Sequence, residues 1–202
     1  MARRKQQGKS QTGRLRIVAG NWRSRLLDIA DVEGLRPTSE RIRETLFNWL
    51  APHIAGAKCL DLFAGTGALG LEALSRGARH TTFVEQSAVA VRQLEKNITL
   101  LVGGPDPVGG PSGPNIIRGD ALDYLRSGDG PFDIVFLDPP FAADLLGETC
   151  RLLAESKLLV DGAFVYLEMD RSQEEPSFPD SWEVTKNKTA GNVRYMLVKT
   201  GK

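Results

Sequence analysis

From Lys58 onward the chain alternates short apolar runs with longer stretches in which apolar residues return every three or four positions. The runs 58–63, 80–85, 115–118, 133–138 and 163–168 have the length and composition of buried strands. The stretches of about 68–76, 87–101, 120–126 and 142–156 carry the helical period. Two more strand-like runs, 182–185 and 193–199, follow each other with no helical pattern between them. They predict an antiparallel hairpin at one end of the sheet. Strands alternating with helices predict a doubly wound, Rossmann-like α/β fold: a seven-stranded, mostly parallel sheet with helices on both faces.

Ahead of this pattern, Arg14-Leu15-Arg16-Ile17-Val18 alternates basic and apolar side chains as a half-exposed strand does. Ala19-Gly20-Asn21-Trp22 reads as a turn and Arg23-Ser24-Arg25-Leu26-Leu27 as a return strand, which predicts a small basic β-hairpin. Gly34 to Thr38 is a linker, with Thr38 expected to cap a helix from Ser39 to about Leu50. Ile42, Leu46, Trp49 and Leu50 give that helix one apolar stripe for packing on the sheet, and Pro52 ends it. The expected organisation is a disordered basic tail over 1–13, a hairpin extension over 14–34 and a main domain over 35–202. The stretch 103–114, with five Gly and four Pro, is expected to be a surface loop without a catalytic role.

Charge changes this picture at one end only. The chain of 202 residues carries a formal charge of +1, yet residues 1–25 hold eight basic side chains and no acid. A +8 arm therefore precedes a body of 18 basic and 25 acidic residues, net −7. Because the basic residues run past the tail into the patterned hairpin, the arm reads as a phosphate-binding element for nucleic acid, with Arg14, Arg16, Arg23 and Arg25 as its candidate phosphate contacts. No run of 18 apolar residues and no apolar signal region is present, so neither a membrane span nor a secretory signal is expected. Cys59 and Cys150 are expected to be reduced core residues of a cytoplasmic protein. His53 and His80 are too few and too isolated for a metal site.

The candidate chemistry lies at strand ends, where open α/β sheets bind ligands. Cys59 to Phe63 runs into Ala64-Gly65-Thr66-Gly67-Ala68-Leu69-Gly70 and a helical stretch, with Gly77 as its stop. The glycines allow a sharp turn and close backbone approach to a ligand. Asp61 sits just before them. Glu85, followed by Gln86, ends the next strand at the spacing of a ribose-binding carboxylate. Asp120, followed by Ala121, ends the third, where an acid could accept from an adenine amino group or simply cap a helix. Arg36, Thr38 and Arg41 stand near the start of the first helix and could reach the same ligand. To this point a nucleotide oxidoreductase fits as well as a methyltransferase.

Asp138-Pro139-Pro140-Phe141, directly after Ile134-Val135-Phe136-Leu137, separates the two. Hydride transfer has no use for these four residues. An amino group on an aromatic base does, because its lone pair is delocalised into the ring and it is a poor nucleophile. The Asp138 carboxylate and the Pro139 carbonyl can hold its two hydrogens and stabilise the charge that develops on attack. Pro140 stiffens the segment. Phe141 can stack on the base and hold it in line with a sulfonium methyl.

The order and spacing of these motifs resemble the class I S-adenosylmethionine-dependent amino-methyltransferases. A closer resemblance spans most of the chain. Arg16 to Gly20, Gly34 to Thr38, Arg41 to Trp49, Asp61 to Ser75 and Asp138 to Phe141 together resemble the small-subunit rRNA methyltransferase D family. These are bacterial enzymes of guanine-966 type that methylate guanine N2 in 16S rRNA. The resemblance implies a cytoplasmic enzyme using S-adenosylmethionine and acting on 16S rRNA within the 30S subunit or an assembly intermediate. It implies catalytic roles for Asp138, Pro139, Pro140 and Phe141. It implies cofactor binding by Arg36, Thr38, Asp61, Phe63, Ala64, Gly65, Thr66, Gly67, Glu85, Gln86, Asp120, Ala121 and Asp138. Nothing demands a metal or more than a monomer. The chain departs from the family in its longer N-terminal tail and in the Gly/Pro-rich loop. The rival readings are a DNA adenine-N6 or cytosine-N4 methyltransferase and a non-catalytic ribosome-assembly factor. No target-recognition domain for DNA is visible.

Overall fold

The structure, a computed structural model, describes residues 13–32, 38–103, 113–140 and 145–201. Its centre is a seven-stranded sheet in the order β5-β4-β3-β6-β7-β9-β8. The strands are β3 (Lys58–Asp61), β4 (His80–Glu85), β5 (Gly113–Arg118), β6 (Phe132–Leu137), β7 (Leu159–Asp170), β8 (Glu183–Ala190) and β9 (Val193–Lys199). β5, β4, β3, β6 and β7 are mutually parallel, and β9 runs antiparallel to both of its neighbours. The strand order reverses at β3, which opens the switch-point crevice where such sheets bind ligands.

Period-two alternation decides which side chain faces which layer. Cys59, Ile134, Phe136 and Tyr166 pack with residues of α1 (Glu40–Trp49) and α2 (Ala68–Ser75). Leu60, Val135, Leu137, Val165 and Leu167 pack on the other face with α4 (Ala121–Ser127) and α5 (Leu146–Glu155). Phe83 of β4 joins Leu71 and Leu74 of α2 to Leu94 and Ile98 of α3 (Ala88–Val102). Cys59 and Cys150 are free and buried, and burial pushes both thiols up, Cys150 to about 12.

Several elements differ from their sequence pattern. Ser39, not Thr38, caps α1 by accepting from the Ile42 amide at 3.3 Å, which releases Thr38 for another partner. α5 begins at Leu146, and its expected first turn includes 142–144, outside the described residues. β7 is 12 residues long rather than six, because Leu159 joins the ladder opposite Phe132 ahead of an irregularity in register. β8 extends to Ala190; it pairs only with β9, and its mixed polar sequence hides the alternation of an edge strand. Gly113 and Pro114 belong to β5, and 104–112 lie outside the described residues.

β1 (Arg14–Arg16) and β2 (Leu26–Asp28) form the small antiparallel hairpin. Arg23 and Ser24 belong to its turn, not to the return strand, and Ser24 takes a left-handed φ of 67°. The hairpin is seated on α2 without intervening space. A Cβ on Gly20 would lie 1.9 Å from the Ser75 carbonyl oxygen, to which the Asn21 amide donates at 2.7 Å. Leu15, Ile17 and Leu27 enter the same core as Leu71, Phe83 and Leu94. Beneath them Glu72 is fully buried and accepts from the Val18 and Ala19 amides at 2.8 and 3.0 Å. It also accepts from Arg43 at 3.2 Å and Arg76 at 2.8 Å. Arg43 in turn donates to the carbonyls of Thr38 and Arg16. One carboxylate and one guanidinium thus fasten the hairpin, α1 and α2 together.

Candidate active site

Four acids stand at the ends of four adjacent parallel strands: Glu85 of β4, Asp61 of β3, Asp138 just after β6 and Glu168 near the end of β7. Phe136 pairs with Tyr166 and Leu137 with Leu167, so the register carries on to set Asp138 beside Glu168. Both carboxyl groups point to the α1 face, since Phe136 and Tyr166, two residues earlier, pack there.

Each acid is tied to a neighbouring segment. Asp61, 3% exposed, accepts from the Gly70 amide at 2.9 Å and so fixes the first turn of α2. Glu85 accepts from Gly65 N at 2.8 Å with one oxygen and from Ser87 N at 2.6 Å with the other. Gly67, at a φ of 82°, is the N-cap of α2 and turns the chain from loop to helix. Asp138 accepts from the Thr38 hydroxyl at 3.1 Å. Glu168, 3% exposed, accepts from the Tyr166 hydroxyl at 2.8 Å.

Burial dominates the titration of these acids. Asp61 is pushed up to about 7, with Asp138 and Glu85 adding to the shift and the Gly70 amide opposing it. Asp138 is half-buried at the cavity wall, yet loss of solvent still lifts it to about 6 against the Thr38 bond. Glu168 is lifted to about 8 by burial and then by Asp138, while Tyr166 and Thr38 oppose. Among the described residues no group of three His, Cys, Asp or Glu side chains is arranged to hold a metal ion.

A cavity of about 490 Å³ opens over these strand ends. That volume lies within the range of roughly 300–1,000 Å³ of small-molecule sites. Its walls include Thr38, Asp61, the turn Phe63 to Thr66, Glu85, Gln86, Asp120, Ala121, Asp138, Pro139 and Pro140. The structure therefore brings most of the sequence-derived cofactor candidates to one space. Gly67 is not in the wall; it lies behind the turn, where a Cβ would meet the Leu94 side chain at 2.5 Å. Arg41 is exposed and does not reach the cavity. Arg36 and Phe141 lie outside the described residues. Asp120 caps α4, one oxygen accepting from the Leu122 and Asp123 amides, and the residue also lines the cavity. The Thr66 hydroxyl is buried in the turn with no partner among the described residues, a polar group left for a ligand.

The hairpin arginines are placed differently. Arg14, Arg16, Arg23 and Arg25 are all exposed, with Arg14 3.7 Å from Asp28 and Arg16 3.7 Å from Glu40. The hairpin turn, with Arg23, meets the C-terminal end of α2, whereas the cavity lies at its N-terminal end. Two buried side chains with ionisable or charged groups escape the sequence pattern. Glu168 reads as an acid inside the apolar run Phe164 to Met169, and that misfit is the signal that could have found it. Arg43 hides on the buried face of α1, among residues whose period marks them as apolar.

The chain matches the family model described as "Conserved hypothetical protein 95" over residues 15–199. It is 44% identical over 188 residues to the ribosomal RNA small subunit methyltransferase D of Escherichia coli strain K12, covering 93% of this chain and 91% of that protein. It is 42% identical to the protein of the same name from Haemophilus influenzae, covering 92% and 93%. The solved structure of the yhhF protein from Escherichia coli superposes with a TM-score of 0.83 at 40% identity, covering 94% of this chain and 99% of that one.

Proposed function

Since this chain belongs to the conserved hypothetical protein 95 family, we propose that it is an S-adenosylmethionine-dependent methyltransferase that modifies the exocyclic N2 amino group of a guanine in 16S rRNA, of the guanine-966 type. The observation that carries this reading is the shared cavity. The glycine turn with Glu85 and the Asp138-Pro139-Pro140 segment form walls of one space at the switch point. A nucleoside and an amino acceptor can meet there.

When bound, S-adenosylmethionine supplies a methyl group activated by a sulfonium centre. The chain's own residues then bind, orient and take up a proton. Glu85 has both oxygens fixed by backbone amides, and each keeps a lone-pair direction for a ribose hydroxyl. The second Asp120 oxygen, not used in the helix cap, accepts from an amino donor in the cavity that Asp120 lines. Thr66 offers its hydroxyl from the turn. Asp138 and the Pro139 carbonyl accept the two hydrogens of the guanine amino group and draw its lone pair out of the ring. Pro140 holds the segment stiff. Phe141 stacks on the base. The amino nitrogen would take its methyl from S-adenosylmethionine held there, with the electron pair of the C–S bond kept on sulfur. One N–H proton then passes to Asp138. A carboxyl raised to about 6 is ionised at neutral pH and takes that proton readily from an acidic ammonium.

Arg14, Arg16, Arg23 and Arg25 bind RNA phosphates. The substrate is the 30S subunit or an assembly intermediate, and the enzyme works as a cytoplasmic monomer. Residues 1–13 act as a basic tail, 14–34 as the RNA-binding extension and 35–202 as the catalytic domain. The test is methyl transfer from labelled S-adenosylmethionine to unmodified 30S particles, naked 16S rRNA and duplex DNA, with nucleoside analysis. N2-methylguanosine from the particle is the expected product. N6-methyladenine or N4-methylcytosine in DNA would replace the substrate assignment. Tight cofactor binding without transfer to any acceptor would point to an assembly factor.

A further inference from the structure

Glu168 is a carboxyl group that the reaction as written does not use. It sits on β7 next in register to Asp138, is 3% exposed, and faces the same side of the sheet. Across the other ladder its partner is the buried Tyr195. Its own oxygen accepts from Tyr166. The Thr38 hydroxyl, which donates to Asp138, also lies beside the Glu168 carboxyl. Among the described residues the charged and titratable groups facing it are Asp138 from β6, Tyr166 from its own strand and Tyr195 from β9. Of the two arginines nearest in the chain to Thr38 among the described residues, Arg41 is exposed and Arg43 is already committed to Glu72 and to the carbonyls of Arg16 and Thr38.

We propose that Glu168 is a positioning residue for methyl transfer: it works as a neutral acid, donates to Thr38, and so keeps Thr38 aimed at an ionised Asp138. The donor order is then complete. Tyr166 donates to one Glu168 oxygen, the other Glu168 oxygen donates its proton to Thr38 Oγ1, and Thr38 donates to Asp138. Two adjacent anions would repel, and a buried charge is costly. Keeping the proton on the deeper carboxyl removes both penalties. It leaves the guanine amino group facing a single acceptor anion. Glu168 keeps this proton throughout the cycle; the proton released by the amino group goes to Asp138 alone. The upward displacement of Glu168, further than that of Asp138, agrees with this order.

The inference rests on the methyl-transfer reading, and the variants separate the two. Glu168→Ala removes both hydrogen bonds and is expected to lower kcat by about 10- to 100-fold, the usual cost of losing an outer support. Glu168→Gln offers the same donor and acceptor and cannot ionise. It is expected to restore kcat at pH 7 to within about threefold of the unaltered enzyme. In the unaltered enzyme kcat should rise as Asp138 ionises near pH 6 and fall as Glu168 ionises near pH 8. Glu168→Gln should keep the rise and lose the fall. Loss of activity in Glu168→Gln equal to that in Glu168→Ala would mean that Glu168 acts as an anion, and an unchanged alkaline fall in Glu168→Gln would reduce it to packing. Either result overturns the proposal. The carbon-13 shift of the Glu168 carboxyl, assigned by its loss in Glu168→Gln, reads the same point without any acceptor. A neutral carboxyl at pH 7 is expected, and an ionised one overturns the proposal even if methyl transfer to rRNA proves wrong.

Discussion

Asp138 and Asp61 show how much an acid's neighbours decide what it does. Asp61 turns inward to the Gly70 amide and serves the shape of the cofactor turn, whereas Asp138 opens to the cavity. Asp138→Ala should therefore leave S-adenosylmethionine binding within about twofold and lower methyl transfer by at least about 100-fold. Calorimetric titration beside single-turnover assays would check both halves, and an active variant would remove the assigned role. Stability carries a second signature. Asp61 and Glu168 hold protons in the folded chain that the unfolded chain has already released above the ordinary carboxylate range. The unfolded state binds fewer protons there, so stability should fall as pH rises toward 7 and 8. Denaturant midpoints measured from pH 5 to pH 8.5 should decline, and Glu168→Gln should flatten the upper part of the decline.

At the scale of elements, legibility followed periodicity. The parallel strands and α2 to α4 were readable because apolar runs and helical spacing do not depend on distant partners. Asp138 and Glu85 were readable because strand ends in this architecture meet ligands. Thr38 was not. Its type suits a cap, but Ser39 beside it suits one equally, and only the approach of β6 to the start of α1 gives Thr38 to Asp138. Arg43 and Glu72 were hidden for a related reason. Each lies among apolar neighbours on a buried face, and nothing local says that a partner waits 29 residues away. Removing one member of such a pair strands the other. Glu72→Ala leaves Arg43 buried without its anion and two hairpin amides without an acceptor. A loss of about 3–5 kcal/mol is expected, read from the urea midpoint. Gly20→Ala should also destabilise, since its Cβ would overlap the Ser75 carbonyl.

For the whole molecule the charge division frames the question of substrate. Exposed arginines on the hairpin precede a body with an excess of acids, and Asp61, Glu85, Asp120 and Asp138 line the cavity. Replacing Arg14, Arg16, Arg23 and Arg25 together by Ala should weaken rRNA binding. It should also lower the slope of log K against log salt by about 3, at 0.7–0.9 per phosphate contact. An unchanged slope would make the arginines bystanders. Truncation is the poorer experiment, because cutting after residue 25 removes Leu15 and Ile17 from the core as well as charge.

The Glu72 anchor has a consequence in time as well as in space. The Val18 and Ala19 amides donate to a carboxylate that has no contact with solvent. They can trade hydrogen for deuterium only when the arm lifts from α2, which breaks the bond from Arg43 to the Arg16 carbonyl at the same moment. Exchange at these two amides should therefore be as slow as in the middle of α2 and should respond to the same denaturant concentration. The arginines of the hairpin then ride on a stiff mount and not on a tether. An RNA that docks there meets its charges at fixed spacing, with little ordering of backbone left to be done on contact.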